Sequence, residues 1–312
     1  MTEAAPSTVQ PFAPGDVLIG ATLLNNPADD HAGQGRIIQY DANLREKGVL
    51  WVSGTTHLVG GLTFAPDGTL WAFDNLGWMV VKIDRAGRQR SAERVLDRAL
   101  GKVLFLKNGH YVLTEYFKGD AQPQTLTTRY QELPDHPGRV GLGQLYEFDA
   151  SGALVATHAP EVHGGISRSM AITHAALASD GATLIYTSET GPRVMRYDAI
   201  ARRQLPDLLA LPASEPGRPP NMVFDVAASN GRVLLPLGNR LEVWSEAGAR
   251  QASWPLPGFG WAIVAAAADG AHAYVGNWFT GEVVKVALAE GAVAARITVA
   301  PKCMSGIVQV PG

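Results

Sequence analysis

Residues 59–87 read VGGLTFAPDGTLWAFDNLGWMVVKIDRAG. Three short apolar runs lie inside this stretch: Leu62–Ala65, Thr69–Phe73 and Trp78–Ile83. Pro66-Asp67-Gly68 separates the first two, and Asp74-Asn75-Leu76-Gly77 separates the second from the third. Short runs rich in Val, Ile, Trp and Phe, punctuated by such turns, predict a β-meander. A small sheet of three or four such strands cannot bury both faces alone, so it requires neighbours of the same kind.

Those neighbours are present. The third run recurs as GRIIQYDANL (35–44), GWMVVKIDRAG (77–87), GQLYEFDASG (143–152), PRVMRYDAIA (192–201), NRLEVWSEAG (239–248) and GEVVKVALAEG (281–291). Successive copies are roughly 40–50 residues apart, the period of a propeller blade, except that the second-to-third step is longer. A preceding run recurs as DVLIGATLLNN (16–26), TLWAFDN (69–75), HYVLTEY (110–116), TLIYTSET (183–190), RVLLPLGN (232–239) and HAYVGNW (272–278). Ahead of it stands a strand ending in a Gly turn: GGLTFAPDG, GKVLFLKNG, AITHAALASDG, NMVFDVAASNG and GWAIVAAAADG. The first blade has no such strand at its N-terminal side, and the segment 303–310 (CMSGIVQV) has the right character to supply it. The expected fold is therefore all-β: a six-bladed β-propeller, closed by the C-terminal strand acting as innermost strand of the first blade. Residues 16–312 form a single domain in this reading, after a flexible segment 1–15 rich in Ala, Pro, Ser and Thr.

Composition narrows the function. Charged residues make up 18% of the 312, and the net charge is −3. No basic patch suggests a nucleic-acid partner, and no stretch has the apolar length of a membrane helix. Cys303 is the only cysteine, so neither an internal disulfide nor a cysteine zinc site is available. With no apolar signal core near the N-terminus, the chain reads as cytoplasmic, with a small-molecule substrate as its partner and no oligomeric state specified.

In a propeller the turns between the first and second strands of each blade lie on the bottom face. Here they are all short. The long connections fall on the top face: residues 25–31, the approaches to the fourth and fifth blades (160–169 and 212–220), and an insertion at about 117–142 containing Arg129, Tyr130, Asp135, His136 and Arg139. Loops longer than about 15 residues in a compact domain are commonly binding loops or lids, so a binding mouth is expected on this face. The second-strand ends place Asn25, Asn26, Asp74, Asn75, Glu115, Glu189, Asn239 and Asn277 around it. Asp and Asn there can simply satisfy corner backbone donors, whereas Glu115 and Glu189 lack such a local motif and can act as a general base or metal ligand. His57 and His163 are loop imidazoles able to assist proton transfer, or plain surface residues. Arg168, Trp261, Asn277, Trp278 and Tyr130 are the expected substrate contacts. Counting back from the Gly turns puts Gly60, Gly101, Ala171, Asn221, Gly260 and roughly Ser305 at the channel mouth. Cys303 has no identifiable base and reads as a small buried side chain.

GGLTFAPDGTLWAFDN (60–75) and SDGATLIYTSETGPRVMRYD (179–198) resemble the senescence marker protein/gluconolactonase family and its strictosidine synthase-like and paraoxonase-type relatives. The second is similar to the strand–Glu-Thr–Arg–Tyr run of strictosidine synthase-like proteins, and Pro219-Pro220-Asn221 to the Pro-Asp-Asn or Pro-Asp-Gly step that follows. The repeat phase spans nearly the whole chain; the specific motifs span about two blades. The resemblance implies a top-face site where a divalent cation (Ca, Mg, Zn or Fe) polarises a lactone or ester carbonyl or activates water. Of the matching positions only Asn221 keeps a ligand-type side chain; in the hydrolase reading Glu115, Glu189 and Asn221 bind the cation or serve as base, with His57 or His163 assisting proton transfer. The chain departs from the pattern at Gly60, Gly101, Ala171 and Gly260, which replace ligand-type side chains. Three readings stand: a lactone or ester hydrolase, a metal-independent lyase or condensing enzyme, and a non-catalytic binding propeller.

Overall fold

The computed structural model describes residues 6–124, 129–212 and 222–312. The short turn after each inner strand is where the local chemistry is plainest. Gly68 has φ +84°, and its N–H donates to Ala65 O at 2.9 Å; Asp67 Oδ1 accepts from Thr69 N at 2.8 Å. Gly109, Gly181, Gly231 and Gly270 also have positive φ at the equivalent places. Only glycine adopts that conformation without strain, which is why these positions punctuate the repeat.

Each turn starts a four-stranded antiparallel blade. Blade 2 is β4 (Gly60–Phe64), β5 (Leu70–Asp74), β6 (Met79–Ile83) and β7 (Gln89–Glu93). Blade 3 is β8 (Leu100–Phe105), β9 (Tyr111–Glu115), β12 (Leu145–Phe148) and β13 (Leu154–His158). Blade 4 comprises β14 (His174–Leu177), β15 (Thr183–Thr187), β16 (Arg193–Asp198) and β17 (Arg203–Ala210). Blade 5 comprises β18 (Ala227–Ser229), β19 (Arg232–Pro236), β20 (Arg240–Ser245) and β21 (Arg250–Pro255), and blade 6 β22 (Trp261–Ala266), β23 (His272–Asn277), β24 (Glu282–Ala287) and β25 (Val293–Thr298). Blade 1 is built from both ends of the chain: β1 (Val17–Leu24), β2 (Gly33–Tyr40) and β3 (Glu46–Trp51), with β26 (Met304–Gln309) innermost. β26 runs antiparallel to β1, with Ile307 opposite Ile19 and Gln309 opposite Val17. The all-β, six-bladed, C-terminally closed fold read from the repeats is the fold observed.

The middle strands are apolar on both sides because each is sandwiched between adjacent blades. Leu70, Ala72, Val81 and Ile83 of blade 2 pack with Leu18 and Ile37 of blade 1, all essentially inaccessible. Adjacent blades approach very closely near the axis. A Cβ on Gly20 would lie 1.9 Å from Val59 O, so that position has no room for a side chain. Within the segment 1–15 read as flexible, Thr8 N donates to Val49 O at 2.8 Å and Phe12 N to Arg85 O at 2.7 Å, with the Phe12 ring buried against Phe64.

The described part of the insertion between β9 and β12 includes a two-stranded ribbon, β10 (Lys118–Asp120) with β11 (Arg139–Leu142). Lys118 N donates to Ser169 O at 2.8 Å, tying it to the approach of blade 4. Among the described residues no helix is long and apolar enough to cross a membrane.

Candidate active site in the channel

The inner strands do not enter the channel in simple alternation. Register shifts interrupt β4 between Gly60 and Thr63, β8 between Leu100 and Lys102, and β22 between Trp261 and Ile263. A bulge re-aims side chains, and consecutive residues (Gly60 with Gly61, Gly101 with Lys102, Ala262 with Ile263) consequently face the same space. That space is a cavity of about 380 Å³ on the axis, within the size range of small-molecule sites.

Its two halves differ. Gly60, Gly61, Gly306, Ala262 and Ile263 line one side and leave it open. Three successive inner strands supply ionisable groups on the other: Lys102 from β8, His174 at the start of β14 and Asp225 just before β18. Asp225 Oδ1 lies 3.1 Å from His174 Nδ1 and accepts from Val226 N at 2.7 Å, while Oδ2 accepts from Val264 N at 2.9 Å. Burial works against the Asp225 carboxylate, but His174, Lys102 and the Val264 N–H outweigh it and hold its pKa below the ordinary value. Burial likewise works against charged His174, yet the Asp225 charge and hydrogen bond lift the imidazole above its ordinary 6.5. Burial pushes Lys102 down, and Asp225 offsets only part of that.

The wall carries two further polar arrays. Tyr116 Oη donates to Glu189 Oε2 at 3.0 Å, and Glu189 N donates to Thr173 Oγ1 at 2.7 Å. Burial and then Glu189 push the Tyr116 phenol far up, so it remains a donor. On the other side a relay runs from Thr22 Oγ1 to His57 Nδ1 (3.0 Å), then from His57 Nε2 to His31 Nδ1 (3.1 Å). Burial, His31 and Arg129 together lower the His57 pKa to about 4, which makes it a neutral imidazole at physiological pH. Arg129, from the insertion, ion-pairs with Asp29 beside His31 and so fastens the ribbon to the first top-face loop. Tyr130 follows it into the cavity lining, with its ring 4.3 Å from that of Phe117.

The candidates named from sequence are thus distributed unevenly. His57, Glu189, Tyr130 and Trp278 all line the cavity. Glu115 does not: its carboxylate accepts from Leu142 N at 3.1 Å and Gln144 N at 2.8 Å, closing the corner that the insertion opens. The longer Glu side chain does there what Asp74 does at the corner of blade 2, where it accepts from Leu76 N and Gly77 N. Asn277 is a corner residue too, accepting from Phe279 N and Thr280 N. Trp261 is fully buried between blades 5 and 6, and Nε1 donates to Pro257 O. His163 is packed over Gly191, its pKa lowered by burial and Arg193, and Arg168 is exposed on its loop with φ +62°. Asn221 lies outside the described residues.

Lys102, His174 and Asp225 escaped the sequence reading because counting back from the Gly turns ignored the bulges and the short inner strands of blades 4 and 5. A signal was there: each is an ionisable residue inside an otherwise apolar copy, in GKVLF, THAAL and FDVAA. No three His, Cys, Asp or Glu side chains come together as a cation's ligand set among the described residues. Asn221, the ligand the resemblance implies, lies outside the described residues, and no chemical step is routed through a cation.

The fold and channel define a six-bladed β-propeller with an ionisable cluster on its axis. Solved structures agree on the fold. The chain is similar to a protein of unknown function from Bacteroides caccae (12% identity, TM-score 0.61, covering 96% of this chain and 99% of that one). It is equally similar to a chain of a nidogen–laminin complex (11%, TM-score 0.64, 95% and 98%) and a protein from Lactobacillus plantarum (12%, TM-score 0.61, 95% and 99%). At such identities the likeness carries the fold alone. No protein-family model and no curated protein matches the chain.

Proposed function

We infer that this propeller is a small-molecule enzyme that hydrolyses a lactone or ester in its channel. The observation that carries the reading is the His174–Asp225 pair facing a cavity of about 380 Å³. With Nδ1–H directed at Asp225, His174 Nε2 is left as an acceptor and makes no hydrogen bond to a described residue. A water on Nε2 attacks the carbonyl carbon as the imidazole takes its proton. Asp225, anchored by two backbone N–H groups, fixes the ring orientation and stabilises the imidazolium. Collapse of the tetrahedral adduct breaks the acyl C–O bond, and the departing alkoxide takes the proton from Nε2, giving a hydroxy acid from a lactone. Glu189 is placed to accept a substrate hydroxyl, and Trp278 and Tyr130 offer aromatic faces at the mouth.

A lactone and ester panel assayed with the wild type, H174Q and D225N tests this. Both variants are expected to lower kcat/KM at least about a hundredfold, the scale of a lost general base, with circular dichroism and unfolding midpoint preserved. Wild-type turnover retained by both variants would remove His174–Asp225 from the chemistry. Thermal stabilisation by these compounds without any turnover would instead favour a binding propeller, for which the glycine-lined half of the channel leaves room.

A further inference from the structure

The hydrolytic scheme leaves unused a lysine that lines the channel next to its catalytic pair. Lys102 follows the bulge of β8, which turns it into the cavity beside the His174–Asp225 pair. It makes no hydrogen bond or ion pair with a described residue. Asp225 does not need it, because His174 and the N–H groups of Val226 and Val264 already occupy the carboxylate. Two other lysines differ: Lys47 Nζ sits 2.7 Å from Asp16 Oδ1, and Lys82 Nζ 2.8 Å from Glu93 Oε1. A lysine held in low dielectric without a bonded counter-ion is the type that serves as an amine nucleophile.

We propose that Lys102 forms an imine with an aldehyde or ketone bound in the channel, a covalent activity separate from lactone hydrolysis and not dependent on it. The uncharged Nζ adds its lone pair to the carbonyl carbon, and the carbonyl oxygen takes a proton from the His174 imidazolium. The new ammonium returns a proton to His174. The carbinolamine hydroxyl then takes a proton from His174 and leaves as water while the nitrogen lone pair forms the C=N bond. Amine, carbonyl and one proton from His174 give the protonated imine and water, with no oxidant or reductant; return of the iminium N–H proton to His174 gives the neutral imine. Burial lowers the Lys102 pKa and so raises the share of uncharged amine able to add to the carbonyl. The protonated imine withdraws electrons from the adjacent carbon, so the fitting substrates are carbonyl compounds that lose a proton or a carbon fragment there.

The full chain is incubated at neutral pH with butanal and sodium cyanoborohydride, and modification of each lysine is followed by peptide mass spectrometry. Lys102 is expected to be alkylated at least about tenfold faster than Lys47 or Lys82, and H174Q to slow Lys102 alone. Labelling of Lys102 at or below the rate of those lysines would overturn the proposal. The readout needs no turnover, so it stands or falls separately from the hydrolase reading. A folded wild type that hydrolyses lactones yet leaves Lys102 unlabelled refutes the imine alone.

Discussion

His57 shows how much one side chain's surroundings decide. Its ring is buried between Thr22 and His31, close to Arg129, and its pKa falls from 6.5 to about 4. Between those values the unfolded chain binds a proton at this site that the folded protein does not. Stability therefore falls as pH drops from 6.5 to about 4 and rises again on the way back. The difference corresponds to about 3 kcal/mol. Urea unfolding at pH 7 and pH 4 checks this: H57Q should lose about that much less than the wild type over the interval, and an equal loss in both would contradict the assignment. His174 runs the other way. Its imidazole is lifted above 6.5 by Asp225, so hydrolytic kcat/KM should rise with pH along a limb centred above 6.5. Any residual activity of D225N should show that limb displaced to lower pH, because burial then acts on the imidazole without its counter-charge.

At the scale of strands and corners, blade 3 depends on a residue that resembled a catalytic acid. Burial raises the Glu115 pKa, partly countered by the Gln144 and Leu142 N–H groups it accepts from. Removing the carboxylate leaves those part-buried donors without an acceptor. E115A should cost about 3 kcal/mol in unfolding free energy, at the scale of two orphaned donors. Its loss of stability should exceed that of E189A, whose carboxylate faces the cavity. A similar cost for both would mean that the corner bonds matter less than their geometry indicates. Gly61 sets a stricter limit on β4. It has φ +59°, and a Cβ there would lie 2.0 Å from Gly101 O on the neighbouring inner strand. Neither backbone can retreat without opening the axis, so G61A should fail to give a natively packed protein, read as lost near-ultraviolet dichroism.

At the scale of the whole ring, β26 pairs with β1 from the opposite end of the chain. Its Ile307 and Met304 pack into the core shared by blades 1 and 6, and Val310 into that of blades 1 and 2. A chain ending at residue 300 should leave β1 as an unpaired inner edge, a template for association with other chains. Size-exclusion chromatography should show soluble aggregate or no folded monomer, and adding the peptide 301–312 should restore a monomer peak. Normal monomeric behaviour of the truncated chain would show that closure is dispensable.

The sequence by itself determined the blade count, the phase of all six repeats and the closure by the C-terminus. Those follow from short-range rules: turn glycines need positive φ, strand patterns have a two-residue period, and an array of sheets needs its edges covered. It also pointed to the top face and to four cavity-lining residues, His57, Glu189, Tyr130 and Trp278. The tertiary structure alone decided which polar residues meet. Glu115 and Asn277 are spent on corners because their loops bring backbone donors within reach. Lys102 enters the channel because a bulge shifts β8 by a residue where neighbouring backbones nearly touch, and His174 and Asp225 meet it from the start of β14 and the residues just before β18. Such a shift depends on the packing of one blade against the next, which no period within a single strand records.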